Sequence, residues 1–172
     1  VLAMLLLNIV PARRIYSMID WPVIILLAAM IPIGVSLQNN GSAEIAHFFT
    51  QNLQPFLTSF LSIHNAKLTI LVMLILITMT LSDFMNNAAT AIVMAPIAAS
   101  IADSLSCNPE TFLMGVAIGA SCSFLTPLGH QNNTLVMGPG GYKFTDYIRI
   151  GLPLEILVLL VSTPLLIHFF PL

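Results

Sequence analysis

Ser82-Asp83-Phe84-Met85-Asn86-Asn87-Ala88-Ala89-Thr90 sets an acid and two adjacent amides between two strongly apolar segments. In lipid every buried polar group must find a partner. Such a cluster is costly in hydrocarbon unless it lines a cavity where something polar binds. A second cluster, Thr126-Pro127-Leu128-Gly129-His130-Gln131-Asn132-Asn133-Thr134, interrupts another apolar segment. Two broken apolar segments of this kind point toward a membrane transporter.

Composition agrees. The chain is 58% hydrophobic and 7% charged, whereas a soluble domain carries about 25% charged residues, so this one could not cover its surface in water. A net charge of −2 without a basic stripe argues against nucleic acid as a partner. Cys107 and Cys122 fit no metal-ligand spacing and read as inert small apolar residues. Val1 to Val10 is apolar and Arg13 and Arg14 follow it. A signal peptide carries its positive charge before the apolar core. The run therefore reads as the tail of a membrane helix, and the chain as a fragment of a longer protein.

Pro11 to Asp20 reads as a polar loop, and Trp21 to Leu37 as an apolar span anchored by Trp21 at the lipid boundary. From Ala43 to Ile63 apolar residues recur at three- and four-residue spacing opposite Glu44, Gln51, Asn52 and Gln54. That is the period of an amphipathic helix lying on the interface, which Pro55 should kink or divide. Leu68 to Leu81 is apolar over about 14 residues, reaching about 21 Å against a hydrocarbon core of about 30 Å. Ala88 to Ala102 is about as short and contains Pro96. Two short helices around a polar tip read as a re-entrant hairpin, with two complete short spans as the alternative.

Asn108-Pro109-Glu110 predicts a helix start, with Asn108 as cap and Pro109 at the first helical position. The helix should run through Phe112 to Leu125, carry Cys122 inside it, and break at Pro127-Leu128-Gly129. Gly115-x-x-x-Gly119 offers a surface for close helix packing. Asn133 to Met137 resumes as a half-helix, Tyr142 to Ile150 is a surface segment, and Gly151 to Phe170 is the last span. Arg13, Arg14, Lys143 and Arg149 then share the cytoplasmic side by the positive-inside rule.

At the tip, the amides of Asn86 and Asn87 offer donors and acceptors, and backbone groups freed at a helix break can hold a small cation or an anion. The Ser82 hydroxyl and Met85 carbonyl are further oxygen donors of the kind Na⁺ needs. Asp83 is an ion ligand, a proton carrier or a partner for backbone donors. At the second break the Gly129 carbonyl can complete a cation cage, and His130, Gln131 and Asn133 bring donors suited to an oxyanion. Glu155 reads as an interfacial acid.

These two clusters, with Gly138-Pro139-Gly140-Gly141-Tyr142 after the second, resemble the divalent anion/sodium symporter family, the sodium-coupled sulfate and carboxylate transporters of the ion transporter superfamily. The second motif is most similar to permease branches described as sulfate or citrate transporter-like. The resemblance covers nearly the whole chain, as the C-terminal repeat of a two-repeat transporter. It sets the family's Ser-Asn-Thr tip on Asn86, Asn87 and Ala88, with only the central asparagine matched. It implies Na⁺ oxygens at Ser82, Met85, Asn87 and Gly129, and it sets an Ala-Thr-Pro stretch on Gly129, His130 and Gln131, with Asn133 matching the asparagine after it. It also implies a homodimer and elevator-like movement.

The expectation is an all-α, polytopic protein of the cell membrane: the C-terminal half of an inverted-repeat transporter, with a re-entrant hairpin and a broken helix. Residues 1–64 would be scaffold and residues 65–172 the transport part. A small oxyanion, sulfate or a dicarboxylate, would bind at Asn86, Asn87, Ala88, His130, Gln131 and Asn133, coupled to Na⁺, with a missing N-terminal repeat supplying the other half of the site. Alternatives are a sodium/proton antiporter or arsenite-type exporter coupling through Asp83, or a structural membrane subunit. No nucleophile motif suggests an enzyme: Gly119-Ala120-Ser121-Cys122-Ser123 lacks the spacing of a Gly-x-Ser-x-Gly elbow.

Overall fold

The computed structural model describes residues 41–60 and 63–172, together with Trp21, Ile24, Ile25, Ala28, Ala29, Pro32 and Ser36. These seven early positions are all helical and fall within the expected Trp21–Leu37 span. The expectations for residues 1–20, including Arg13 and Arg14, lie outside the described residues.

Residues 42–60, within the range expected to be an amphipathic helix, are helical in three parts: α1 (Ser42–Phe48), a π-helical turn (Phe49–Leu53) and α2 (Gln54–Phe60). The division falls just ahead of Pro55, whose missing N–H leaves a carbonyl unpaired and favours a widened turn. Ile45, Phe48 and Phe56 are exposed along it, as an interfacial helix requires.

Next comes a helical pair, α3 (Ile63–Phe84) and α4 (Asn87–Ser104), separated only by Met85 and Asn86. This corrects the expected lengths. At about 1.5 Å per residue, the 22 residues of α3 reach about 33 Å and the 18 of α4 about 27 Å. Apolarity understated them because Ser82 and Asp83 continue the helix beyond the apolar run, their polar groups being satisfied sideways. Pro96 is accommodated inside α4. Asn65–Phe84 is long and apolar enough to cross a membrane, as is the last helix.

After a turn at Ser106 and Cys107, α5 (Pro109–Ser121) starts as expected: the Asn108 side chain accepts the Glu110 amide, and Pro109 takes the first turn. It ends four residues short of Leu125, so Cys122 lies just beyond the helix in extended backbone. The proline at 127 therefore does not end the helix. The chain has already turned out at Cys122 to reach partners on α3. A short α6 (Gln131–Met137) follows the break. Then α7 runs unbroken from Phe144 to Phe169, so the expected surface segment 142–150 is mostly its first two turns, with the charged residues Lys143 and Arg149 exposed.

The core lies between α3, α4 and α5, built from Ile70, Leu71, Leu74, Ile75, Met79, Ile101, Phe112 and Val116. Gly115 and Gly119 let α5 press onto α3. A methyl group on Gly119 would lie 3.0 Å from Thr78 Cβ and 3.1 Å from the Ile75 carbonyl oxygen. The glycine pair is thus a packing surface. By contrast α7 is mostly exposed, with Ile156, Leu157, Leu160 and Phe169 uncovered. In a chain this apolar, that is a face for lipid or for another helix. Gly119→Val should force α5 off α3 and cost about 1–3 kcal/mol, seen as a lower unfolding temperature of the intact protein in detergent. Gly138→Ala, with open space around that position, should leave the temperature unchanged.

Candidate functional site

The helix breaks at Met85–Asn86 and at Cys122–His130 are clasped to each other. Three hydroxyls on α3, those of Thr69, Thr78 and Thr80, bond back to carbonyls four residues earlier. Ser82 instead reaches across. Its Oγ lies 2.6 Å from the Ala120 carbonyl oxygen on α5 and 3.1 Å from Asn87 Oδ1, and its single proton serves one of them at a time. Asp83, only 1% exposed, accepts the Leu125 amide at 2.9 Å through Oδ1. The Thr126 hydroxyl donates to the Asp83 carbonyl and receives the Leu128 and Gly129 amides at 3.2 and 3.3 Å. Gly129 is buried against this joint. A Cβ there would run into the Ser82 carbonyl and come within 2.7 Å of Ser123 Cβ. Only glycine permits so close an approach.

Ser82 and Asn87 therefore meet the sequence-distant Gly129 at one place, with Met85 at the adjoining turn. The anion candidates divide. Asn86 is exposed and caps α4, its Oδ1 accepting the Ala89 amide at 2.7 Å. His130 is exposed and caps α6, its Nδ1 accepting the Asn132 amide at 3.1 Å. Each cap spends an acceptor on its helix. The Asn86 NH₂ group, and in the neutral ring the His130 Nε2–H, remain as donors. Gln131 is exposed and Ala88 half-buried. Asn133 is spent on the fold: its Nδ2 donates to the Ser123 carbonyl at 3.0 Å and the Thr126 carbonyl at 3.4 Å, and Tyr147 of α7 donates to its backbone carbonyl at 2.7 Å. Thr134 similarly ties α6 to the Pro127 carbonyl.

Glu155 belongs to this place too, which corrects its reading as an interfacial acid. It sits three turns into α7. Gly151, one turn earlier, lies so close to the Phe124 carbonyl that a Cβ would collide with it. This contact presses α7 onto the second break and sets the Glu155 carboxyl beside the Phe124 backbone. The Asp83 and Glu155 carboxyl groups lie within hydrogen-bonding reach of each other. The one sequence signal was Gly151 four residues ahead of a lone acid, which marks a helix face able to approach another backbone.

A profile of the citrate transporter family matches residues 1–106 and 61–171. An uncharacterized transporter of Synechocystis, sll0640, is 39% identical over 167 residues, covering 97% of this chain and 26% of that protein. The uncharacterized transporter YfbS of Escherichia coli is 35% identical over 94% of this chain and 25% of its own length. Sodium/sulfate cotransporter 1 of Chlamydomonas reinhardtii is 26% identical over 96% of this chain and 18% of its own length. The chain thus spans about a quarter or less of these relatives. It is a multi-pass membrane chain that belongs to the citrate transporter family, the group of transporters that includes sodium/sulfate cotransporters among its relatives.

Proposed function

We propose that this chain is the anion- and sodium-binding part of a secondary active transporter that moves a small oxyanion, sulfate or a di- or tricarboxylate, together with Na⁺. The carrying observation is the clasp of the two breaks, which brings Ser82, Asn87 and Gly129 together. Oxygen donors of that kind suit Na⁺. Met85 would add its carbonyl. The anion would sit on the N–H donors that the caps leave over, Asn86 at the start of α4 and His130 across the break, with Asn87, Ala88 and Gln131 beside them. Asn133 would shape the site from below. The positive end of α4 favours negative charge at its first turn, and bound Na⁺ would neutralise the anion as it loses water.

Depth supports this placement. The 13 residues of α5 carry the chain about 20 Å from the turn at Ser106–Asn108 to the second break. If that turn lies at a membrane surface, the break lies inside a core of about 30 Å. The α3–α4 pair would then be a re-entrant hairpin that enters obliquely, since α3 is longer than a half-crossing needs. The rest of the protein, as an inverted repeat, would close the site from the other side, and two copies would form the working carrier. Sulfate leads because cotransporters of sodium and sulfate are among the relatives, with citrate and succinate next.

Radiolabelled sulfate, citrate and succinate uptake by the full-length protein, with Na⁺ and with choline in its place, tests this. Uptake of one of them should be saturable and Na⁺-dependent. Asn87→Ala should abolish the Na⁺-dependent part at unchanged expression, and normal uptake would refute the tip assignment. Gly129→Ala should push the breaks apart, lowering both uptake and unfolding temperature.

A further inference from the structure

We propose that Asp83 and Glu155 form a second Na⁺ site, separate from the Ser82, Met85, Asn87 and Gly129 oxygens. It goes beyond the tip site proposed above and enlists α7, which that site does not use.

Both carboxyl groups meet the broken segment: Asp83 Oδ1 takes the Leu125 amide at 2.9 Å, and Glu155 stands beside the backbone of the neighbouring Phe124. Asp83 Oδ2 and Glu155 Oε1 are both buried, and neither has a hydrogen-bond partner among the described residues. The two groups nevertheless stand within hydrogen-bonding reach of each other. Two carboxyl groups brought that close in an interior this apolar need positive charge between them, which a cation or a proton supplies. Among the described residues, neither orphaned oxygen has a lysine or arginine as hydrogen-bond partner. Among the described residues the titratable neighbour is Cys122, a buried thiol that supplies no positive charge.

Paired carboxylate oxygens suit a hard cation. Carbonyls freed by the break, and water, would complete the shell. Glu155 is only half-buried, so the pair is reached from the α7 side. An ion there would join all three elements: Asp83 ends α3, the Leu125 amide belongs to the break after α5, and Glu155 lies on α7. Filling it would fasten α7 to the clasp, and emptying it would leave two like charges pushing α7 away.

The test measures ²²Na⁺ binding to the purified full-length protein, with Glu155→Gln and Asp83→Asn compared to wild type at equal elution in size exclusion. Each variant should bind one Na⁺ fewer per chain, and both together should lose no more than either alone. Unchanged binding in well-folded variants overturns the proposal. Infrared difference spectra of the unaltered protein need no variant: adding Na⁺ should shift carboxylate stretching bands. Bands that Na⁺ leaves unmoved, or a carboxylic acid band insensitive to Na⁺ as expected for a pair sharing a proton, overturn it as well. Binding is read without transport, so failure of Na⁺-dependent uptake would refute the carrier reading alone.

Discussion

A backbone group or carboxylate placed in hydrocarbon must be partnered within the protein, and the rest of this structure follows from how that is met at two places. Breaking α3–α4 at Met85–Asn86 frees the ends of two helices, and ending α5 at Ser121 frees another. Neither break is satisfied on its own. Ser82 bonds to the carbonyl of Ala120, Asp83 to the amide of Leu125, and Thr126 to the carbonyl of Asp83. Each break is thus the other's solvent. The small residues of α5 follow from this: Gly115 and Gly119 bring its axis close enough to α3 for side chains as short as serine and aspartate to reach across.

The same constraint explains what could be read in the sequence. Both clusters stood out because amides and an acid inside apolar runs demand a reason. Asn108-Pro109-Glu110 stood out because a helix start is local chemistry, and the structure places the cap and the proline where the residues predict. Lengths were less legible. Ser82 and Asp83 look like the end of an apolar helix, yet their partners lie 38 and 42 residues away, so the helix continues through them. Cys122 was expected inside α5 for the complementary reason: nothing local tells the chain to turn out there, and the partners that reward turning are on α3.

Glu155 was the least legible of all. A lone acid in a long apolar helix commonly marks the interface, and its own neighbours say nothing against that. Its placement depends on Gly151 meeting the Phe124 carbonyl, a contact made only after the second break has folded onto α3. The family resemblance helped with position more than with chemistry. It located the tip on Asn86, Asn87 and Ala88, but Asn86 turns out to spend its oxygen capping α4, a role that residue type alone does not separate from ligand binding.

The division of atoms within single side chains bears on how such a site can work. Asn86 and His130 each give an acceptor to a helix start and keep donors outward; Asn133 gives its donors to two carbonyls. A residue used this way is held in one orientation before any solute arrives, so binding need not order it. The cost is that the same atoms hold the breaks together, and a change at one of them alters both fold and site. A carrier has to expose its site alternately to two sides of a membrane. If the breaks must travel, the clasp favours moving them as a unit, because separating them would strand Asp83, Ala120 and Leu125 without partners. The sparsely buried α7 is joined to that unit at Gly151 and Tyr147, so it would travel with the breaks.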